Sequence, residues 1–125
     1  MASIEYPIPG DVGKTLLPFS PATKVGNLIF VSGQVSTDAS GAIISDTFEK
    51  EFRRTIENLE GILKACGSDL TKIARVNAYL KNETDWDEYN RLYKEYFKPP
   101  FPARTTITKC LNKVLFEIDV IAVAD

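Results

Sequence analysis

The apolar positions of this chain follow two periods, and the points where one gives way to the other mark out its elements. Phe48, Phe52, Ile56, Leu59 and Leu63 recur at spacings of three and four, which lays one apolar stripe along a helix. Asp46 or Thr47 is placed to cap that helix, Glu49 is placed for a capping box, and Gly67 stands where a C′ glycine would end it. A second helix opens at Thr84 with Asp87 and carries Trp86, Tyr89, Tyr93, Tyr96 and Phe97 roughly on one face. Residues 25–35 read as a strand, and Asp38, Ala39, Ser40 and Gly41 supply a turn into residues 42–44, giving a hairpin. Residues 73–80, about 104–110 and about 114–123 read as further strands, and the Pro- and Gly-punctuated residues 1–15 as a short strand and loop. The order β-β-α-β-α-β-β runs without repeats, low-complexity stretches or linkers, so the expectation is one domain over residues 1–125. Two helices are enough to cover one face of a single sheet, the two-layer α+β arrangement.

The last strand bears on what covers the other face. Phe116, Ile118, Val120 and Ala122 alternate with Leu115, Glu117, Asp119 and Ile121, so both faces carry apolar groups and neither is a plain solvent face. That pattern predicts oligomerisation. It also isolates Glu117, a carboxylate in the middle of an apolar strand, where charge is costly unless paired or wet. One reading is a salt bridge at a subunit interface. The other is a cleft carboxylate whose pKa is raised by burial and which handles a proton near neutral pH.

Composition narrows the chemistry mainly by exclusion. The 125 residues are 44% hydrophobic with a net charge of −2, enough for a core and not the profile of a disordered chain. Basic residues are scattered, with no patch to expect nucleic acid from. No apolar run reaches membrane-spanning length and no secretory signal is read at the N-terminus, so the expectation is a cytoplasmic protein without a membrane partner. The chain has no histidine, which rules out Ser-His and Cys-His nucleophile pairs and the commonest zinc ligand set. Cys66 and Cys110 are too few for an all-cysteine zinc cluster and are expected as buried thiols. No glycine-rich phosphate loop is present, and neither a metal nor a cofactor is expected.

Arg104 is the strongest single candidate. It follows Lys98-Pro99-Pro100-Phe101-Pro102-Ala103 and opens the β-rich run Thr105-Thr106-Ile107-Thr108. The prolines stiffen the approach, so a planar fork of donors sits at a fixed loop-to-strand junction, suited to gripping a carboxylate with two parallel hydrogen bonds. An ordinary surface ion pair is the competing reading.

Together with the Ser32-Gly33-Gln34 turn after its apolar strand, the aromatic helix and the terminal strand with Glu117, the Pro102-Ala103-Arg104 junction resembles the Rid family (YjgF-like proteins), from about Leu17 to Ala124. The resemblance implies a chorismate-mutase-like α+β fold with a mixed β-sheet and two helices on one face. It implies a homotrimer with a central β-barrel and ligand clefts between subunits. It also implies a cofactor-free 2-iminobutanoate/2-iminopropanoate deaminase, hydrolysing enamine and imine intermediates to 2-keto acids and ammonia. On that reading Arg104 holds the substrate carboxylate and Glu117 positions the attacking water. Ser32, the Gly33 backbone and Asn90 contribute polar contacts to the ligand or the neighbouring subunit. The chain departs from the family pattern at Phe19, where many members carry tyrosine, and at Thr106, where many carry cysteine; both positions bear on substrate range. Two other functions stay open: a keto-acid-binding regulatory protein, and an endoribonuclease or translation inhibitor. The lack of histidine and of a basic patch speaks against the nuclease.

Overall fold

The computed structural model describes residues 3–8 and 17–125. Its strands are β1 (Ile4–Glu5), β2 (Ala22–Val25), β3 (Leu28–Gln34), β4 (Ile73–Leu80), β5 (Ala103–Ile107) and β6 (Phe116–Val123), and its helices are α1 (Phe48–Ala65) and α2 (Trp86–Tyr96). Among the described residues these strands form one sheet in the order β1-β2-β3-β6-β4-β5. Every pairing is antiparallel except β4 with β5, so the sheet is mixed as expected. The parallel pair needs a crossover, and α2 supplies it.

The apolar stripe of α1 packs on the sheet. Phe52, Ile56, Leu59 and Leu63 are almost wholly buried, each contributing roughly 1.5–3 kcal/mol of burial. They meet the alternate residues Phe116, Ile118, Val120 and Ala122 of β6 and Val76, Ala78 and Leu80 of β4 in one core. Both helices lie on this face. The opposite face carries Phe30, Asn77, Tyr79, Thr105, Ile107, Glu117, Asp119 and Ile121, and no described element covers it.

Several boundaries differ from the sequence reading. Residues 25–35 are not one strand: the chain reverses at Gly26-Asn27, where Gly26 has φ +60°, so the sheet's hairpin is β2–β3. The turn at 38–41 exists, held by Asp38 Oδ1 accepting from the Ser40 and Ala42 N–H groups at 2.9 and 3.0 Å. Its return arm makes only an isolated bridge, Thr37 to Ile43, and does not join the sheet. Of residues 1–15, β1 is seen, and residues 9–15 lie outside the described part.

At the start of α1, Thr47 is the cap, accepting from the Lys50 N–H at 3.3 Å. Glu49 does not close the box; it pairs with Arg53 at 3.0 Å, while Glu51 reaches back to the Asp46 N–H at 3.0 Å. Gly67, φ +79°, follows the helix as the expected left-handed residue. Thr84 does not cap α2, which enters through a 3-10 turn at Glu83–Asp85 without a side-chain cap. β5 stops at Ile107 because Lys109 and Leu111, φ 60° and 74°, turn the chain before β6. Both cysteines are free thiols, Cys66 buried and Cys110 half-buried. No described helix is long and apolar enough to cross a membrane.

Candidate functional site

The candidate residues fall into two groups, one on each face of the sheet. The division follows from strand register. On β5, Arg104 stands beside Val76 and Thr106 beside Ala78, both buried core-face residues, so the two side chains point toward the helices. On β6, Glu117 stands beside Tyr79 and Asp119 beside Asn77, on the uncovered face.

Arg104 lies among the rings of α2. Its guanidinium carbon is 4.7 Å from the Tyr93 ring centre, 4.9 Å from that of Tyr89 and 5.9 Å from that of Trp86. Trp86, Tyr89 and Tyr93 are spaced three and four apart, so one helix face presents all three to the cation. The sequence reading took this aromatic set as core. Tyr89, Tyr93 and Phe97 are core, whereas Trp86 is exposed; Trp86, Tyr89 and Tyr93 are also the bed on which the guanidinium rests, and the spacing carries that signal once Arg104 is placed on the neighbouring strand. No carboxylate among the described residues pairs with Arg104; its side chain also interacts with the Tyr89 hydroxyl, and its positive charge is left without an anionic partner. Thr106 is engaged next to it, its hydroxyl 2.8 Å from that of Tyr89.

Asn90, Tyr93, Lys94, Phe101, Pro102 and Arg104 line a cavity of about 230 Å³. Asn90 therefore belongs with Arg104. Burial pushes the Tyr93 phenol up to about 12, and its buried hydroxyl has no hydrogen-bond partner among the described residues. The cavity wall thus carries the Arg104 guanidinium and the Lys94 and Asn90 side chains, with apolar surface from Phe101 and Pro102.

The second group is built on β3 and β6. Phe19, Val31, Ser32, Gly33, Glu117 and Asp119 line a cavity of about 400 Å³ on the uncovered face. Ser32 donates its hydroxyl to the Ser20 carbonyl at 2.6 Å, and its N–H donates to the Pro21 carbonyl at 2.9 Å. Those bonds tie the segment that carries Phe19 onto β3. The Ser32 proton is thereby committed, while the oxygen keeps acceptor capacity.

Gly33 has a steric reason to be glycine. A Cβ built there would lie 2.3 Å from Glu117 Oε2, so the carboxylate occupies the space a side chain would take. Glu117 is half-buried and makes no hydrogen bond or ion pair among the described residues. Burial pushes its carboxyl above the ordinary carboxylate range, and the negative charge of Asp119 adds to the rise. Such a group binds a proton more readily than an exposed glutamate, which suits it to accept one from water.

One chain does not bring Arg104 and Glu117 together. The sequence reading set them at two ends of one small substrate, but the sheet separates them, Arg104 in the helix-side cavity and Glu117 in the other. The alternation of side chains along a strand causes this: neighbouring strands in register present Val76 and Tyr79 to opposite sides, and the candidates follow them.

Comparison with known proteins gives a consistent picture. A family model described as endoribonuclease L-PSP matches residues 13–124. The chain is 38% identical to a RutC family protein of Pyrococcus abyssi over 112 residues, covering 87% of this chain and 88% of the relative. It is 37% identical over 97 residues to the human 2-iminobutanoate/2-iminopropanoate deaminase, covering 77% and 68%. Among solved structures, RidA from an Antarctic Psychrobacter superposes with a TM-score of 0.85 at 26% identity, covering 95% of this chain and 99% of that one.

Proposed function

The chain belongs to the endoribonuclease L-PSP family, the Rid or YjgF-like proteins, and on that premise we propose that it is a hydrolase of 2-imino acids whose site is assembled between copies of the chain. The observation that carries the proposal is the division of the candidates into two incomplete half-sites. One holds a guanidinium with no carboxylate partner among the described residues, fixed on three rings; the other holds a proton-accepting carboxylate, also unpaired among the described residues, over a glycine. Each is half of what an imino acid requires, and a homotrimer of the family's kind would set the Arg104 half of one copy against the Glu117 half of its neighbour. The deaminase name of the human relative supports the same chemistry.

The reaction follows from the two groups. Arg104 grips the substrate carboxylate with two charge-assisted hydrogen bonds, which fixes the adjacent C=N carbon. Glu117 takes a proton from water as the water oxygen bonds to that carbon. Glu117 passes that proton to the nitrogen, giving a neutral tetrahedral carbinolamine. The carbinolamine hydroxyl then gives its proton to Glu117, which relays it to the amino group; C=O forms as the C–N bond breaks, releasing ammonia and the 2-keto acid and leaving Glu117 ionised again. Asn90 and the Ser32 oxygen are placed at the edges of the two halves, and Phe19 and Thr106 shape them.

The nuclease reading has the name of the family model behind it but no residue pattern of this chain: there is no histidine, and the net charge of −2 comes with no basic patch. The test is ammonia release from imines generated in situ by an amino-acid oxidase. Charge-assisted bonds contribute about 1.5–3 kcal/mol each, so Arg104→Ala is expected to lose at least about a hundredfold in kcat/KM. Near-normal turnover by a folded Arg104→Ala protein would remove the assignment.

A further inference from the structure

Asp119 shares the cavity of Glu117 and is the more firmly held of the two carboxylates. Asn77 Nδ2 donates to its Oδ1 at 2.9 Å, and the Tyr79 hydroxyl donates to its Oδ2 at 2.8 Å. Both donors come from β4, the strand next to β6. Tyr79 stands opposite Glu117 in register and reaches diagonally to Asp119. The result is a fixed negative charge two residues along the strand from Glu117, on the same face and lining the same cavity. Nothing in the hydrolytic scheme above uses it.

We propose that Asp119, anchored by Tyr79 and Asn77, is a positioning residue for the hydrolysis: its charge, held beside Glu117, keeps Glu117 basic enough to take the proton of the attacking water. The inference rests on the reading of Glu117 given above. A loose carboxylate at this position would swing into water and be screened; two donors on separate oxygens prevent that. The direction agrees with the raised carboxyl of Glu117, to which Asp119 contributes after burial.

The surroundings leave Asp119 as the dominant charge. From β3, Ser32 and Gly33 bring no titratable group. From β4, the Tyr79 phenol is pushed up to about 12, chiefly by its bond to Asp119, and stays neutral through any practical assay range. Arg75, on the same face of β4, is turned to the Thr105 hydroxyl at 2.6 Å, toward β5 and away from β6. Cys110 acts on the Tyr79 phenol and is not among the groups that shift Glu117.

The decisive experiment is a carbon-13 NMR titration of the Glu117 side-chain carboxyl, run beside the pH profile of kcat/KM for an imine generated in situ. The full-length protein, Asp119→Asn, Asp119→Ser and Asp119→Glu are compared. Loss of a neighbouring negative charge should lower the Glu117 midpoint, and the acidic limb of the profile with it, by about half to one pH unit. Asp119→Glu, which restores the charge, should bring both back toward the original values. The serine variant serves if the asparagine variant does not fold. A Glu117 midpoint unmoved in a folded neutral variant overturns the proposal, even if the rate falls equally at every pH, because that pattern describes a mere tie between strands. A parent protein that hydrolyses no imine at all would sink the hydrolytic reading instead, while the carboxyl titration still decides whether Asp119 sets Glu117.

Discussion

At the residue scale the cleft carboxylate depends on two positions, Glu117 and Gly33, and each fails in its own way. Glu117→Gln keeps the shape and removes the charge. A group that acts mainly on the transition state shows in kcat and kcat/KM together, so kcat should collapse while a keto acid such as 2-oxobutanoate binds within a few-fold of normal. Calorimetry on that pair checks it; normal turnover would make Glu117 structural. The same substitution has a signature in stability. The carboxyl of Glu117 lies above its ordinary value in the folded chain, so the folded state holds the proton more tightly than the unfolded one. Stability is then lost as pH rises from the ordinary carboxylate range through the raised value. Glu117→Gln should escape that loss and gain relative stability at neutral pH, but not at pH 3, as paired melting curves would reveal. Gly33→Ala is the geometric counterpart. The added methyl would force the Glu117 carboxylate from its place, and displacements of that size cost about tenfold to a hundredfold in rate. A Gly33→Ala enzyme as fast as its parent, with an unchanged melting temperature, would mean the carboxylate has another productive position.

At the element scale, the piece that aims β6 is a buried glutamate. Glu51, in the first turn of α1 and 1% exposed, accepts from the Asp46 N–H at one oxygen and from the Leu115 N–H at the other, both at 3.0 Å. It pins the end of the β5–β6 connection two residues before Glu117. Glu51→Ala strands two backbone donors, each at about 1–3 kcal/mol, so chemical denaturation should find the variant less stable by roughly 2–6 kcal/mol. A change below about 0.5 kcal/mol would show that water reaches those groups. This clamp was not legible in the sequence, where Glu51 falls among charged neighbours on an amphipathic helix and nothing marks it as inward-facing. What was legible followed from period. The α1 stripe, the bounds of β4 and the alternation of β6 were all readable, because packing on one core enforces them. The misplaced hairpin had a local cause. Gly26-Asn27 and Asp38–Gly41 are both turn sequences, and only sheet pairing decides which joins the sheet. The Arg104 bed was hidden for a related reason, since aromatic spacing on α2 reads as core until β5 is laid beside β4.

At the scale of the whole molecule, the sheet's uncovered face and the split site point the same way. Phe30 stands well exposed on that face beside Ile121, and Ile107 stands exposed on it beside Tyr79, and no described element covers either. A ring of copies with head-to-tail contacts would bury them and set one half-site against the other, since heterologous contacts pair unlike patches. The most direct test is complementation between two dead proteins. Arg104→Ala and Glu117→Gln are co-expressed with different tags, and mixed assemblies carrying both tags are isolated and assayed on an imine generated in situ. If each site takes Arg104 from one copy and Glu117 from its neighbour, every mixed trimer carries one site of its three with both groups intact, and activity should return to about a third of the parent. Mixed assemblies as inactive as either variant alone, with mass and fold unchanged, would contradict a site shared between copies.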